Sequence, residues 1–331
     1  MSVPWSAVTS WLARREKPLL VTHRRPDGDA LGAAAGLALA LRQMGQKPAI
    51  ALFEAFPARY RFLGIEQDCR AWDARADFVR NADALVILDT CSFSQLEPLA
   101  DFVRQAPPTL VIDHHATRDD IGGRAGDLCL IDPVASAASL LVTEWLMAEN
   151  RPISTTQATA LLTGLATDCG WFRFSNTDAR TLRAAAALVE AGANASEIYA
   201  AVYQQEPVQK LRLIGRMLAG LELLDNGRLC VLRLHQADFA AAGATQNMTE
   251  DVINEAVRLE GVEVTVLFSE QPDGVVRVNL RSRRRTDVAE VAREFGGGGH
   301  ARAAGARVTG KTAEVESRVI ATVLAAMQRH E

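Results

Sequence analysis

Three short apolar runs in this chain end in histidine or aspartate. Thr109-Leu110-Val111-Ile112 runs into Asp113-His114-His115, Pro18-Leu19-Leu20-Val21-Thr22 into His23-Arg24-Arg25-Pro26-Asp27-Gly28-Asp29, and Ala84-Leu85-Val86-Ile87-Leu88 into Asp89. Asp168 closes a later helical stretch. His23, Asp27, Asp29, Asp89, His114 and Asp168 together offer four carboxylates and two imidazoles, with no thiolate assigned. Hard oxygen ligands with some nitrogen suit Mn²⁺ or Mg²⁺ better than structural zinc. Six ligands are too many for one ion that keeps positions open for water and substrate. Two ions roughly 3.5–4 Å apart, bridged by a carboxylate, fit the count and the usual arrangement for hydrolysing phosphate esters. Any one of these acids alone reads as the cap of the following helix or turn. Taken together, with a His pair among them, they read as a metal site. His115 leaves the chain in a different direction from His114, and is expected to contact a phosphoryl oxygen or to protonate a leaving group.

The elements that must position these residues follow from the pattern. Short β-branched-rich runs separated by helical stretches read as buried parallel strands. Strand to Thr22, helix 29–45, strand 49–53, then strands ending at Asp89 and Asp113 make a βαβ series, hence a doubly wound parallel α/β sheet. In such a sheet ligands bind outside the carboxyl ends of the strands, so separate strands deliver His and Asp to one crevice. Helices follow at 139–149 and 155–167, the second delivering Asp168 at its end. Asn176-Thr177-Asp178 supplies N-cap chemistry for an alanine-rich helix that stops at Gly192. Helices 197–205 and 208–218, around Pro207, read as a linker.

Beyond residue 220 the pattern changes to hairpins and helices, a smaller α+β domain. Runs 221–224 and 229–232 flank Asp225-Asn226-Gly227, where Asn-Gly favours a type I′ turn. A second hairpin joins 262–269 to 275–280 through Asp273-Gly274, and helices at 250–259, 287–295 and 313–327 are expected to cover one side of the sheet. The expected division is thus 1–192 for a catalytic metal-binding domain, 193–219 for a helical linker and 220–331 for a substrate-binding domain. Gly296, Gly297, Gly298 and Gly299 precede His300. Such a run can be a C-cap and flexible linker, or its amides can converge on an anion as a nest. With His300, Arg302 and Arg281 nearby, it is expected to form a phosphate or nucleotide-binding face.

The chain has 331 residues, 48% hydrophobic and 23% charged, ordinary for a globular protein with two cores. Its start lacks the basic and long apolar regions of a signal peptide, and no run approaches a membrane span, so a cytoplasmic protein is expected. Five scattered cysteines (Cys69, Cys91, Cys129, Cys169, Cys230) form no C-x-x-C pair, which fits free packing thiols rather than a disulfide framework. A net charge of -4 speaks against a protein that tracks long nucleic acid, whose affinity would come from many neutralised phosphates. Positive charge is local, at Arg281, Arg283, Arg284 and Arg285, enough for a few phosphates.

These residues resemble the motifs of the DHH phosphoesterase superfamily with its DHH-associated carboxyl-terminal domain, and within it the branch of nanoRNases and 3′-phosphoadenosine 5′-phosphate phosphatases. Thr22 to Gly32 resembles the first motif, Leu88-Asp89-Thr90 the second, Asp113-His114-His115 the third, and Thr167-Asp168-Cys169-Gly170-Trp171-Phe172 the fourth. Gly297-Gly298-Gly299-His300 resembles the associated domain's signature. The resemblance implies that His23, Asp27 and Asp89 hold one Mn²⁺, and that Asp29, Asp89, His114 and Asp168 hold a second, with Asp89 bridging; Mg²⁺ or Co²⁺ are possible substitutes. It implies that Asp113 orients a ligand imidazole from behind, and that Arg281, the glycines and His300 bind the remote phosphate and nucleotide. The implied activity is hydrolysis of short oligoribonucleotides to mononucleotides and of 3′-phosphoadenosine 5′-phosphate to AMP, by a homodimer with no long nucleic acid or membrane partner. Phosphodiesterases for cyclic dinucleotides or their linear products share these motifs and remain the alternative. A manganese pyrophosphatase lacks the glycine-rich His signature, and a non-catalytic nucleotide-binding regulator would have lost ligands. Two departures, Ala33 for a frequent Ser and Cys169 for a frequent Thr, remove no ligand.

Overall fold

The computed structural model of the chain describes residues 4–97 and 99–329. Met1, Ser2 and Val3, on which the reading of the amino terminus draws, lie outside the described residues. The chain divides into two compact α/β units between Gln205 and Glu206. The segment 193–219 is shared between them, the helix before Gln205 falling in the first unit and the helix after Pro207 in the second. Among the described residues no helix is long and apolar enough to cross a membrane.

The first unit runs α1 (Trp5–Leu12), β1 (Pro18–Val21), α2 (Gly28–Gln43), β2 (Ala49–Leu52), β3 (Cys69–Ala71), α3 (Asp77–Arg80), β4 (Ala84–Leu88), α4 (Ala100–Gln105), β5 (Thr109–Asp113), β6 (Leu128–Ile131), α5 (Ala138–Ala148), α6 (Thr155–Asp168), α7 (Ala179–Glu190) and α8 (Ala195–Tyr203). Its six strands are all parallel, in the order β3-β2-β1-β4-β5-β6. The central strands β1, β4 and β5 are buried throughout. Their alternate side chains feed two cores. Leu20, Val86, Leu88, Leu110 and Ile112 pack with α2, α5 and α6, while Leu19, Val21, Leu85, Ile87 and Val111 pack with α3 and α4. The strand order reverses between β1 and β4, so the crevice outside their carboxyl ends is the topological switch point where ligands bind in open sheets.

Helices α2 and α6 cross at glycines. A Cβ on Gly32 would lie 2.4 Å from the Ala160 carbonyl oxygen and 2.9 Å from the Gly164 nitrogen, both backbone atoms that cannot step aside. This approach brings the start of α2, with Asp29, beside the end of α6, with Asp168.

The second unit runs α9 (Val208–Ala219), β7 (Glu222–Leu224), β8 (Leu229–Leu234), α10 (Gln236–Ala242), β9 (Val264–Glu270), β10 (Val275–Ser282), α11 (Val288–Glu294), β11 (Gly298–His300), β12 (Ala303–Thr309) and α12 (Thr312–Arg329). Its sheet has the order β11-β12-β10-β9-β8-β7, antiparallel except for the β8–β9 pair. Helices cover both faces, not one. Val231, Val266, Val278 and Leu280 face α11 and α12, whereas Cys230, Leu232 and Leu267 face α9, α10 and the segment Val252–Arg258. That segment and Gln246–Thr249 are 3₁₀ turns instead of the α-helix expected at 250–259, because Asp251 takes a left-handed φ of 63° between them. The first hairpin turns on Asp225 and Asn226, both left-handed at φ 53°, with Gly227 donating to the Leu224 carbonyl at 3.1 Å. It is a turn of the I′ kind centred one residue earlier than the Asn-Gly pair suggests. The five cysteines are free, and burial pushes the Cys91 and Cys230 thiols up to about 11, as inert packing groups.

Candidate metal centre

The carboxyl ends of β1, β4 and β5 and the end of α6 converge. His23 follows β1, and Asp27 is the N-cap of α2, its Oδ1 accepting from the Asp29 and Ala30 amides at 3.0 and 3.1 Å. Asp89 follows β4 with a left-handed φ of 61°, a conformation Asp tolerates better than most residues. Asp113 ends β5, and Asp168 ends α6, an unfavourable helix terminus for an acid and so a sign that the position serves something else.

The side chains form three overlapping groups with ligand atoms within 4.8 Å of one another: His23, Asp27 and Asp89; Asp29, His114 and Asp168; and Asp89, His114 and His115. His23 Nε2 lies 3.8 Å from Asp27 Oδ1 and 3.5 Å from Asp89 Oδ2. His114 Nε2 lies 3.3 Å from Asp89 Oδ1, 3.5 Å from Asp168 Oδ2 and 3.9 Å from Asp29 Oδ2. Asp89 thus stands between both halves. Yet among the described residues the buried Asp89 Oδ1 and His114 Nε2 have no hydrogen-bond partner. Buried polar atoms left unpartnered are costly and rare, and these face a common space among oxygen and imidazole donors. That observation and the donor set fit divalent cations.

The surroundings fix the imidazoles. His114 Nδ1 lies 3.2 Å from the Ala135 carbonyl, to which it donates, leaving the Nε2 lone pair for the cluster. The buried Asp113 does not orient that ligand ring. Its Oδ1 accepts the His114 amide at 2.8 Å and sits 2.8 Å from His115 Nδ1, so it orients the half-exposed His115. Asp29 is fully buried and accepts the amides of Ala138 and Ser139 at 2.6 and 2.8 Å, holding the start of α5, whose own N-cap Ala137 offers no side-chain acceptor.

Burial lowers the pKa of His23 and His114, but the nearby carboxylates, Asp27 and Asp89 for the first and Asp89, Asp29 and Asp168 for the second, prevail and push both up to about 10. Burial, then repulsion from Asp89 and Asp27, raises Asp168 to about 7, and the same two causes, with Asp89 and Asp168 as neighbours, raise Asp29. Without cations the cluster therefore holds protons near neutrality. Metal ligands bind deprotonated, so cation loading is expected to release protons and tighten with pH by roughly tenfold per unit for each proton lost. Calorimetric Mn²⁺ titrations at pH 7 and 8, in buffers of different ionisation heat, read this directly. An affinity that does not change with pH would contradict the cluster's protonation.

In the second unit, a cleft of about 540 Å³ is lined by Arg277, Asn279, Arg281, Gly296, Gly297, Gly298, Gly299 and Arg307 among others. Arg281 and the glycines meet there; His300, exposed at the end of β11, is not among the lining residues. The glycine run is no nest. Gly296, at φ 72°, ends α11, and the next residues form the edge strand β11, where a Cβ on Gly297 would fall 2.1 Å from the Gly305 carbonyl. Converging amides occur instead at Arg284, Arg285 and Thr286, where Glu263 Oε1 already accepts all three. Arg302 donates to the Thr286 carbonyl and Ser282 Oγ, a structural role. The sequence reading did not find the Ala135 carbonyl or the Ala138 and Ser139 amides, which are backbone groups without a residue signature. The uncapped start of α5 was the available hint.

A parallel switch-point sheet carrying an Asp/His cluster defines a class of metal-binding α/β hydrolases. Residues 17–165 match the DHH family, N-terminal domain, and residues 226–329 match the DHHA1 domain. The chain belongs to the DHH family and is a phosphoesterase. It is 32% identical over 299 residues, 89% of this chain and 85% of the other, to the bifunctional oligoribonuclease and PAP phosphatase NrnA of Thermus thermophilus. It is 24% identical to the cyclic-di-AMP phosphodiesterase PdeA of Listeria monocytogenes, covering 96% of this chain but 49% of that protein. The crystal structure of an exopolyphosphatase-related protein from Bacteroides fragilis shares the fold, with a TM-score of 0.84 at 23% identity, covering 95% of this chain and 94% of that one.

Proposed function

We propose that the protein is a manganese-dependent phosphoesterase that hydrolyses short oligoribonucleotides to mononucleotides and 3′-phosphoadenosine 5′-phosphate to AMP. The observation that carries this reading is the pair of ligand groups sharing Asp89 at the sheet switch point, in a chain that aligns with most of an oligoribonuclease and PAP phosphatase. His23, Asp27 and Asp89 would hold one Mn²⁺, and Asp29, Asp89, His114 and Asp168 the other. When bound, two such cations lower the pKa of a water and offset charge on the phosphoryl oxygens. His115 acts beside them. The hydrogen bond that His115 Nδ1 donates to the Asp113 carboxylate raises its pKa and favours the protonated ring, which can give a proton to the leaving oxygen. Arg281, Gly297, Gly298 and Gly299 bind a further phosphate of the substrate in a cleft to which Arg277 and Arg307 add charge, with His300 reaching it from the end of β11 outside the lining. Both substrates present a phosphorus on a nucleotide 3′ oxygen. The enzyme works in the cytoplasm as a homodimer.

A panel of 5′-phosphorylated RNAs of two to five nucleotides, a 20-mer, the bisphosphorylated adenosine, cyclic di-AMP and pyrophosphate, each with Mn²⁺, Mg²⁺ or chelator, tests the reading. The short RNAs and the bisphosphate are expected to be cut at least about tenfold more efficiently than the 20-mer, because the net acidity and local basic cleft cannot hold a long strand. Processive digestion of the 20-mer, or cleavage of cyclic di-AMP alone, would overturn it.

A further inference from the structure

Three residues beyond Asp168, the metal-binding end of α6, begins an aromatic surface that the chemistry above does not use. Gly170, Trp171 and Phe172 take successive left-handed φ values of 57°, 57° and 61°. Bulky residues adopt that backbone only where the surroundings impose it, commonly at functional sites. Here the Trp171 amide is held by the Ala166 carbonyl and the Phe172 amide by Cys169 Sγ. The turn throws Trp171 against α8. Its ring centroid lies 5.0 Å from Tyr199 and 5.9 Å from Tyr203, both edge-on, and the two tyrosines are 5.2 Å apart. Tyr199 and Tyr203 remain 38% and 37% exposed, and Phe174, whose ring lies over Gly170, 56%.

Two links tie this surface to the metal centre within the same unit. Trp171 lies three residues after Asp168 in sequence. On the other side α8, which carries Tyr203, packs against the segment Ala58–Leu63, whose buried Tyr60 hydroxyl lies at the Gly28 amide at the start of α2. Arg59 and Arg173 lie near enough for their charges to act on the Tyr203 hydroxyl. Arg173 Nε donates to the Gly170 carbonyl, and among the described residues neither arginine has a carboxylate partner. Exposed π faces with unpaired cations next to a phosphoryl site complement a flat, π-rich group that carries an anion.

We propose that Trp171, Tyr199 and Tyr203 form a stacking platform for a nucleobase of the substrate, with Arg59 and Arg173 facing its phosphate-bearing side. This rests on the reading of the substrates as nucleotides. It makes the three rings determinants of binding and not of chemistry.

The test is a coupling measurement on the full chain with Mn²⁺. Tyr203→Ala is expected to raise KM for a 5′-phosphorylated diadenylate about tenfold with little change in kcat, since stacking contributes on that scale per base. Tyr203→Phe, which keeps the ring, restores KM. Diadenylates made abasic at one position and then at the other are expected to show that, at one of them, losing the base and losing the ring are not additive. Additive losses at both positions overturn the platform. So does a shift of Tyr203→Ala from dimer to monomer with equal loss on every substrate, which would make the face an interface between copies. Should no dinucleotide be hydrolysed, the functional reading fails, and AMP titration then decides the platform. Quenching of tryptophan fluorescence by AMP that disappears in Trp171→Phe, with the other four of the five tryptophans kept, supports it; no quenching overturns it.

Discussion

Asp89→Ala is expected to abolish turnover more completely than loss of any other ligand, by roughly three orders of magnitude or more in kcat/KM. Its two carboxylate oxygens face different imidazoles, Oδ2 at 3.5 Å from His23 and Oδ1 at 3.3 Å from His114, so it alone joins both halves of the cluster. Losing another ligand leaves one half intact. Losing Asp89 opens both and removes a buried charge that holds the histidines. Stabilisation of phosphoryl charge by bound cations is worth several kcal/mol, and about 4 kcal/mol corresponds to a thousandfold. The left-handed φ at this position penalises Ala on backbone grounds alone. Asp89→Asn separates the two effects, because Asn tolerates that conformation and keeps the shape. Both variants should lose activity and bound metal, while Asp89→Asn keeps the wild-type melting behaviour of the chelated protein more closely than Asp89→Ala. Near-wild-type activity of Asp89→Asn at saturating Mn²⁺ would rule out the shared-carboxylate arrangement.

The cluster was legible in the sequence because each ligand sits at the end of an element whose apolar pattern is local. A parallel strand buried on both faces reads as an unbroken run, and the residue after it must lie at the sheet's carboxyl edge. Thus His23, Asp89 and His114 could be placed together without knowing the order of strands. What the pattern could not carry was tertiary or backbone in origin. The edge strands β3 and β6 are short, the first mostly exposed and the second only partly buried, so their periodicity is weak. Asp113 orients His115 rather than a ligand imidazole, and the group that orients His114, the Ala135 carbonyl, has no identity in sequence. In the second unit the glycine run resembles a nest by composition, but pairing with β12 draws it into an extended edge strand, and the amide nest formed around Glu263 instead. Covering of both sheet faces was hidden because β8 alternates two apolar sets, which a single-sided count merges into one.

The second large effect is expected at a residue that is not itself a ligand, one helical turn after Asp29, at Gly32→Ala. The added methyl would meet the Ala160 carbonyl oxygen at 2.4 Å and the Gly164 nitrogen at 2.9 Å, so α2 and α6 must part by several tenths of an ångström at their closest point. In a packed core such overfilling costs typically 1–3 kcal/mol, and the atoms struck here are backbone, which puts the cost at the upper end, about 3 kcal/mol. For a unit of this size that lowers Tm by roughly 6–12 °C. The displacement also reaches the centre, because Asp29 opens α2 and also holds the amides of Ala138 and Ser139, whereas Asp168 closes α6. Spreading the helices moves one ligand relative to the other without touching either. Mn²⁺ affinity is therefore expected to fall along with Tm, and added Mn²⁺ to raise Tm less than in the wild type, by mass action on a weakened site. Thermal melts with and without Mn²⁺ measure both. A variant that melts within 2 °C of wild type (about 0.5–1 kcal/mol on the same scale) would show that the glycine crossing does not position the cluster. A variant that loses stability yet keeps the full Mn²⁺ shift would confine the crossing to packing and leave the placement of Asp29 to its hold on α5.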